Sequence, residues 1–274
     1  MHKISAMTSE RGFTFIELAI IIVIIGLIIS GILVSQSMVQ SAATTKAVQD
    51  INSIKIAVVN FNNSYNCMPG DCARANIMGI GTSGDGTGYL EGSTTETNIK
   101  LWQHLYNTRM INISLSSPGV AGIGPQTDVN IPRWKWLDKN SKGTGNNRNG
   151  QIYIAHGSAC SYVGDNGCED FQSIITSNWL NENSIVIGNY YYNSTSGGTY
   201  RSTTSSPLSS DLAQAIDGKL DDALPRTGKI RGFYSGGIGR SWGTGTSTSC
   251  SATSSNLLQT YQMGYTCMLL IDLD

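Results

Sequence analysis

The chain has 274 residues, a formal net charge of −1 and only 14 % charged residues. A near-neutral chain has no electrostatic basis for strong binding to nucleic acid or anionic lipid. Its 31 glycines, with abundant Ser, Thr and Asn, suit loops and short strands more than a helical bundle.

In chain order, residues 1–12 form a short polar segment with His2, Lys3, Glu10 and Arg11. Then comes Phe13 to Val34, an apolar run broken by one charge, Glu17. As a helix this run is ~33 Å long, enough to cross a bilayer core. It exceeds the apolar region of an ordinary signal peptide. A carboxylate inside hydrocarbon is expensive and calls for a partner. Nothing else in residues 13–34 is ionisable, so the partner is expected from a new chain end or another molecule. A cut after Gly12 would give Phe13 a free amine of the right sign for the Glu17 carboxylate of a neighbouring copy. A different cut, after the small-x-small sequence Ser41-Ala42-Ala43, would discard the apolar run and free a soluble domain.

Arg11-Gly12-Phe13-Thr14-Phe15-Ile16-Glu17-Leu18 resembles the prepilin peptidase signature of type IV pilins and type II secretion pseudopilins. The resemblance implies a leader, residues 1–12, cleaved after Gly12 by a membrane peptidase, and N-methylation of Phe13. It implies that Glu17 sets the register of assembly. Phe15 departs from the leucine common at that place in the family. The implied partners are the prepilin peptidase, an inner-membrane assembly platform and other pilin or pseudopilin subunits in a helical polymer. The implied location is the inner membrane of a Gram-negative cell, then a periplasmic pseudopilus or a cell-surface pilus.

No proline precedes Pro69, and no glycine lies between Gly31 and Gly70. Val34, Met38, Ala42, Val48, Ile51, Ile54, Val58 and Phe61 recur mostly at steps of three or four. One helix is therefore expected from Phe13 to about Asn62. Residues 13–34 would be its membrane or filament-core part and residues 35–62 its amphipathic continuation. Gly26 and Gly31 offer either close helix approach or local unwinding.

A globular head is expected over residues 63–274. Met68-Pro69-Gly70-Asp71 ends the helix in a proline turn and resembles the Leu-Pro-Gly-Asp turn of many prepilin-type proteins. A glycine-rich loop follows over residues 79–92. A second helix is expected from Thr95 to Met110; Trp102-Gln103-His104-Leu105 resembles a helix of the same proteins. Further on, residues 151–155, 184–192, 229–233 and 266–273 are β-branched or aromatic and read as strands, with a short helix over residues 209–222. Residues 236–255 are rich in Gly, Ser and Thr and read as a long loop. The expected fold is α+β and pilin-like: a long N-terminal helical spine on a head with an antiparallel sheet and glycine-rich loops.

The six cysteines, Cys67, Cys72, Cys160, Cys168, Cys250 and Cys267, fall into three sequence-local pairs outside the apolar run. An exported chain would carry them as disulfides. Local pairing is expected, although six cysteines leave other pairings open.

Asp85, Thr87, Tyr89 and Glu91 place oxygens at alternate positions around glycines, and Glu96 lies just beyond. That spacing can wrap a hard cation such as calcium, with a plain glycine turn as the alternative. Asp217, Asp221 and Asp222 form a second acidic group, for metal or for capping and pairing with Lys219 and Arg226. Residues 165–170 are an acidic stretch around Cys168. Trp134-Lys135-Trp136, with Arg133 and Lys139, could meet single-stranded nucleic acid or be core.

No catalytic residue is expected. The chain has three histidines, His2, His104 and His156, and no metal-hydrolase pair, phosphate loop or nucleophile elbow. Proximity of His156 to Ser158 and Cys160 does not make a triad. The sequence therefore points to a structural pilus or pseudopilus subunit without required cofactors. The alternative is a minor pilin or tip adhesin whose head binds a surface, a ligand or DNA.

Overall fold

The computed structural model describes residues 14–90, 95–119, 126–138, 151–156, 183–188, 208–225, 227–233 and 266–273. Helix α1 runs unbroken over Phe15–Tyr65 and is long and apolar enough to cross a membrane. Helix formers without a breaker carry it past the apolar run, and it outlasts the expected end by a turn. Asn66 stops it: its φ of 53° lies in the left-handed region, and its N–H closes on the Asn62 carbonyl at 2.8 Å. Pro69, which has no N–H, could not have continued the ladder.

The chain divides into two compact units, Met1–Ala43 and Thr44–Asp274, with the division inside α1. In the first unit the apolar side chains of α1 are exposed on every side, among them Leu18, Ile22, Leu27, Ile32 and Val34. In the second, one stripe of α1 is buried: Ala47, Ile51, Ile54, Ala57, Val58 and Phe61. This stripe follows the three- and four-residue steps of the sequence. The head unit therefore begins well before residue 63.

Helix α2, Thr95–Asn107, is shorter than expected and buries Ile99, Trp102 and Leu105. The single turn α3, Lys135–Asp138, was not foreseen. Among the described residues the sheet has five strands: β1 (Gln151–His156), β2 (Asn183–Gly188), β3 (Leu208–Ser209), β4 (Ile230–Phe233) and β5 (Thr266–Asp272). All pairings are antiparallel. Strand β2 lies between β1 and β5, with Tyr153 opposite Val186 and Val186 opposite Leu270. Strand β4 pairs with β5 through Ile230 and Ile271, and β3 meets the start of β5 at Cys267.

Successive strand residues face opposite sides, yet Ser184 to Gly188 are all buried, so β2 is covered on both faces. Helix α4, Ser210–Leu220, packs on β3, β4 and β5 and buries Leu212, Ala213 and Ile216. Its start is capped by Ser209, whose hydroxyl accepts from the Leu212 N–H at 3.3 Å.

Candidate functional site

Thr14 and Glu17 form a capping box at the start of α1. The Glu17 carboxylate accepts from the Thr14 N–H and hydroxyl, each at 2.8 Å, and the Thr14 hydroxyl accepts from the Glu17 N–H at 3.4 Å. An acid in this apolar run calls for a partner, expected from a chain end or another molecule. Thr14 supplies a local one, as the T-x-x-E spacing signals. Gly12 and Phe13 lie outside the described residues. Ser41-Ala42-Ala43 lies in the middle of α1.

Gly26 and Gly31 have no heavy atom within 4 Å of where a Cβ would stand, apart from their own helix backbone. Helix α1 is continuous through both. Leu27, Ile28, Gly31, Ile32, Ser35, Gln36, Val39 and Gln40 together border a shallow depression on this helix.

In the head, a disulfide joins Cys67 to Cys72 and closes the proline turn, as local pairing requires. Cys267 is also disulfide-bonded. Cys160, Cys168 and Cys250 lie outside the described residues, as do residues 165–170.

Asp71 organises the glycine-rich loop. It is nearly fully buried, with 4 % of its surface exposed. Its Oδ1 accepts from the Gly86 N–H at 3.0 Å and its Oδ2 from the Gly88 N–H at 2.6 Å. Its carbonyl also accepts from Gly86, at 2.9 Å. Gly84 must be glycine, because a Cβ there would stand 2.4 Å from the Asp71 backbone. Asp85 shares a side-chain hydrogen bond with Asp71. Burial and that bond push the Asp71 carboxyl up to about 6, against the pull of the two glycine N–H groups. Asp85 is held below the usual carboxylate range by the same bond.

Of the residues considered for calcium, Asp85 and Thr87 bond to each other, the Thr87 hydroxyl donating at 3.1 Å. Tyr89 is half exposed, and Glu91 and the Glu96 side chain lie outside the described set. The loop amides converge on Asp71, a residue that the sequence reading placed only in the turn. The signal was there: an acid closing a Pro-Gly-Asp turn ahead of repeated glycines.

Asp217, Asp221 and Asp222 do cluster, with one oxygen each within 4.8 Å of the others. Two of them serve the following turn. Asp221 accepts from the Ile230 N–H at 3.0 Å. Asp222 accepts from the Leu224 N–H at 2.9 Å and the Thr227 hydroxyl at 2.6 Å. Lys219 reaches the Thr45 hydroxyl at 3.2 Å instead of an acid in this cluster.

Trp134 and Trp136 are each only 6 % exposed, so their faces are core surfaces. Trp134 packs on Trp102 with ring centroids 5.9 Å apart. The Trp136 indole N–H donates to Asp50 at 3.0 Å, and Lys46 pairs with the same carboxylate at 2.7 Å. Arg133 pairs with Asp128 at 2.8 Å. This network, which ties α1 to residues 134–136, was not anticipated.

His104 is fully buried on α2. Its Nδ1 accepts from the Gly70 N–H at 2.9 Å, and its Nε2 lies 2.9 Å from the Thr82 carbonyl. Its ring stacks on Phe61, centroids 5.7 Å apart. The chain matches no family model, no curated protein and no solved structure.

Proposed function

We propose that the chain is a structural subunit of a type IV pilus or a type II secretion pseudopilus. One observation carries this reading: the first unit of α1 is apolar and exposed on every side, with Glu17 as its single charge, directly after Gly12-Phe13. Such a surface needs lipid or like helices around it. A long apolar helix with a disulfide-closed head suits a single-pass inner-membrane precursor. Prepilin peptidase cuts it after Gly12 and methylates Phe13. The assembly platform then passes it into a periplasmic or cell-surface polymer. The chain has no catalytic role and requires no cofactor in this reading.

Sequencing the N-terminus of the processed protein tests it. N-methyl-Phe13 is expected; a terminus at Thr44, or retention of Met1, would overturn it. The helical ladder through Ser41–Ala43 argues against the Thr44 product.

The capping box makes the role of Glu17 separable. Glu17→Gln keeps an acceptor for the Thr14 N–H but carries no charge. If Glu17 pairs with the amine of a neighbouring Phe13, Glu17→Val and Glu17→Gln should both insert and be cleaved, yet enter filaments poorly against wild type. Normal entry of the Gln variant would leave Glu17 a cap only.

A second reading is favoured by the head, which extends to residue 274 and includes the Gly/Ser/Thr-rich stretch 236–255. In it the chain is a minor pilin or tip adhesin. Stoichiometry in purified filaments separates the two: abundant along the shaft, or rare and at one end.

A further inference from the structure

His104 touches two backbone groups that fix its protonation. The Gly70 N–H can only donate, so Nδ1 is a bare acceptor; the Thr82 carbonyl can only accept, so Nε2 carries the proton. The neutral Nε2–H form satisfies both bonds. The imidazolium satisfies one, and sets its second N–H against that of Gly70. With the side chain fully buried, bulk solvent does not reach the ring to relieve the clash.

The groups around the ring give the cation little help. From α1 comes the Phe61 face, and from α2 comes Lys100, a like charge. From the loop comes the Thr82 carbonyl, with Gly81 pressed so close that a Cβ there would stand 2.8 Å from the imidazole. From the proline turn comes Gly70, followed by Asp71, whose carboxylate is engaged with Gly86, Gly88 and Asp85. Burial, then Lys100, hold the His104 imidazole below its usual range, against the favourable pull of the Thr82 carbonyl.

We propose that His104 is an acid-operated latch. Neutral, it pins the proline turn at Gly70 and the loop at Thr82; protonated, it releases the segment between them. That segment carries two exposed apolar side chains, Ile77 and Met78. Two further fastenings of this segment to α2 do not titrate: Gln103 accepts from the Thr82 N–H at 2.9 Å, and Asn107 donates to the Ile80 carbonyl at 2.9 Å. His104 is the pH-sensitive one of these three α2 residues. The latch belongs to the head and operates whether or not the chain enters a filament.

The sign follows from linkage. A released His104 takes up a proton near pH 6.5 and a latched one only at lower pH, so the latch holds fully above pH 6.5 and weakens as pH falls below it. The test is hydrogen exchange of the full chain in detergent at pH 7.5 and 5.5, corrected for intrinsic rates. Wild type is compared with Asp71→Asn, which removes the neighbouring titration. The opening constant at the Gly70 amide should rise across that interval in both proteins, by at most about tenfold, the limit for a group of ordinary pKa near 6.5 when released. The Ile216 amide in α4 should be unaffected. His104→Gln should abolish the rise. Should that variant not fold, an NMR titration of the wild-type ring decides: the Nε2–H tautomer below the ordinary range supports the latch. A flat Gly70 response, a rise shared equally by Ile216, or a ring titrating at or above 6.5 would each overturn it.

Discussion

Two stretches of one helix carry the same kind of residue to opposite fates. Phe15, near the start of α1, is 91 % exposed, whereas Phe61, near its end, is fully buried. Backbone propensity is similar throughout, so it decides that both stretches are helical and nothing more. What differs is arrangement. Before residue 40 the apolar side chains surround the axis, and no single protein face could cover them. After Thr44 they form one stripe, with Ile56 and Val59 left on the exposed side, and a single head suffices. The first stretch therefore depends on its surroundings for burial, and the second carries its own.

The sharpest way to break this comparison is a matched pair of truncations. Phe61→Ala removes a ring packed between Tyr65 and His104 and should destabilise the head by about 3–5 kcal/mol. Ile24→Ala removes an exposed side chain and should leave head unfolding unchanged. Chemical denaturation followed by tryptophan fluorescence reports the head, because Trp102, Trp134 and Trp136 are all buried there. Equal losses in the two variants would mean that the helix stretches are not energetically distinct.

Next in size is Gly70→Ala. Gly70 has a φ of +94°, and a Cβ there would stand 2.9 Å from the Thr97 carbonyl and 3.2 Å from the Leu101 Cα. Backbone strain and overpacking together should cost about 2–4 kcal/mol in the same assay. The obstructing atoms are helix backbone and cannot step aside. Gly26→Ala, with open space around it, should cost the head nothing.

Much of this was legible in the residues. The long helix, its amphipathic half, strands β1, β2, β4 and β5, helix α4 and the Cys67–Cys72 pair all follow from period, β-branching, turn residues and local spacing. Other features were not legible, for physical reasons. Strand β3 is two residues long and exists only because β5 lies beside it. The turn α3 is held by tertiary contacts of Trp134 and Trp136, not by a periodic pattern. At the candidate sites, residue types were visible but partners were not. Asp71 and the glycine amides are separated by 15 and 17 positions, and His104 and Gly70 by 34. Such meetings depend on how α2 docks against the proline turn. The capping box alone needed no tertiary information, since Thr14 and Glu17 are three residues apart.

A smaller effect separates the units by pH. The Asp71 carboxyl, raised to about 6 from its ordinary 3.8, binds its proton more tightly folded than unfolded. Its contribution is thus fully present below pH 3.8 and is lost as pH rises through about 6. Asp71→Asn should flatten this part of the head's stability profile between pH 4 and 7. An unchanged profile would show that Asp71 and Asp85 do not share a proton.

The smallest expected effects come from the two helix starts. Ser209→Ala removes the cap of α4 and should cost the head about 1 kcal/mol, because α4 is packed on the sheet and must unfold with it. Thr14→Ala removes an equivalent cap from α1 in the first unit. That loss should appear only as faster amide exchange in the first turn, with no shift in head unfolding. The two caps are chemically alike, so any difference in readout comes from what each helix is packed against. If Thr14→Ala also destabilised the head, α1 would transmit its fraying across the division at Ala43, and the two stretches would behave as one cooperative element.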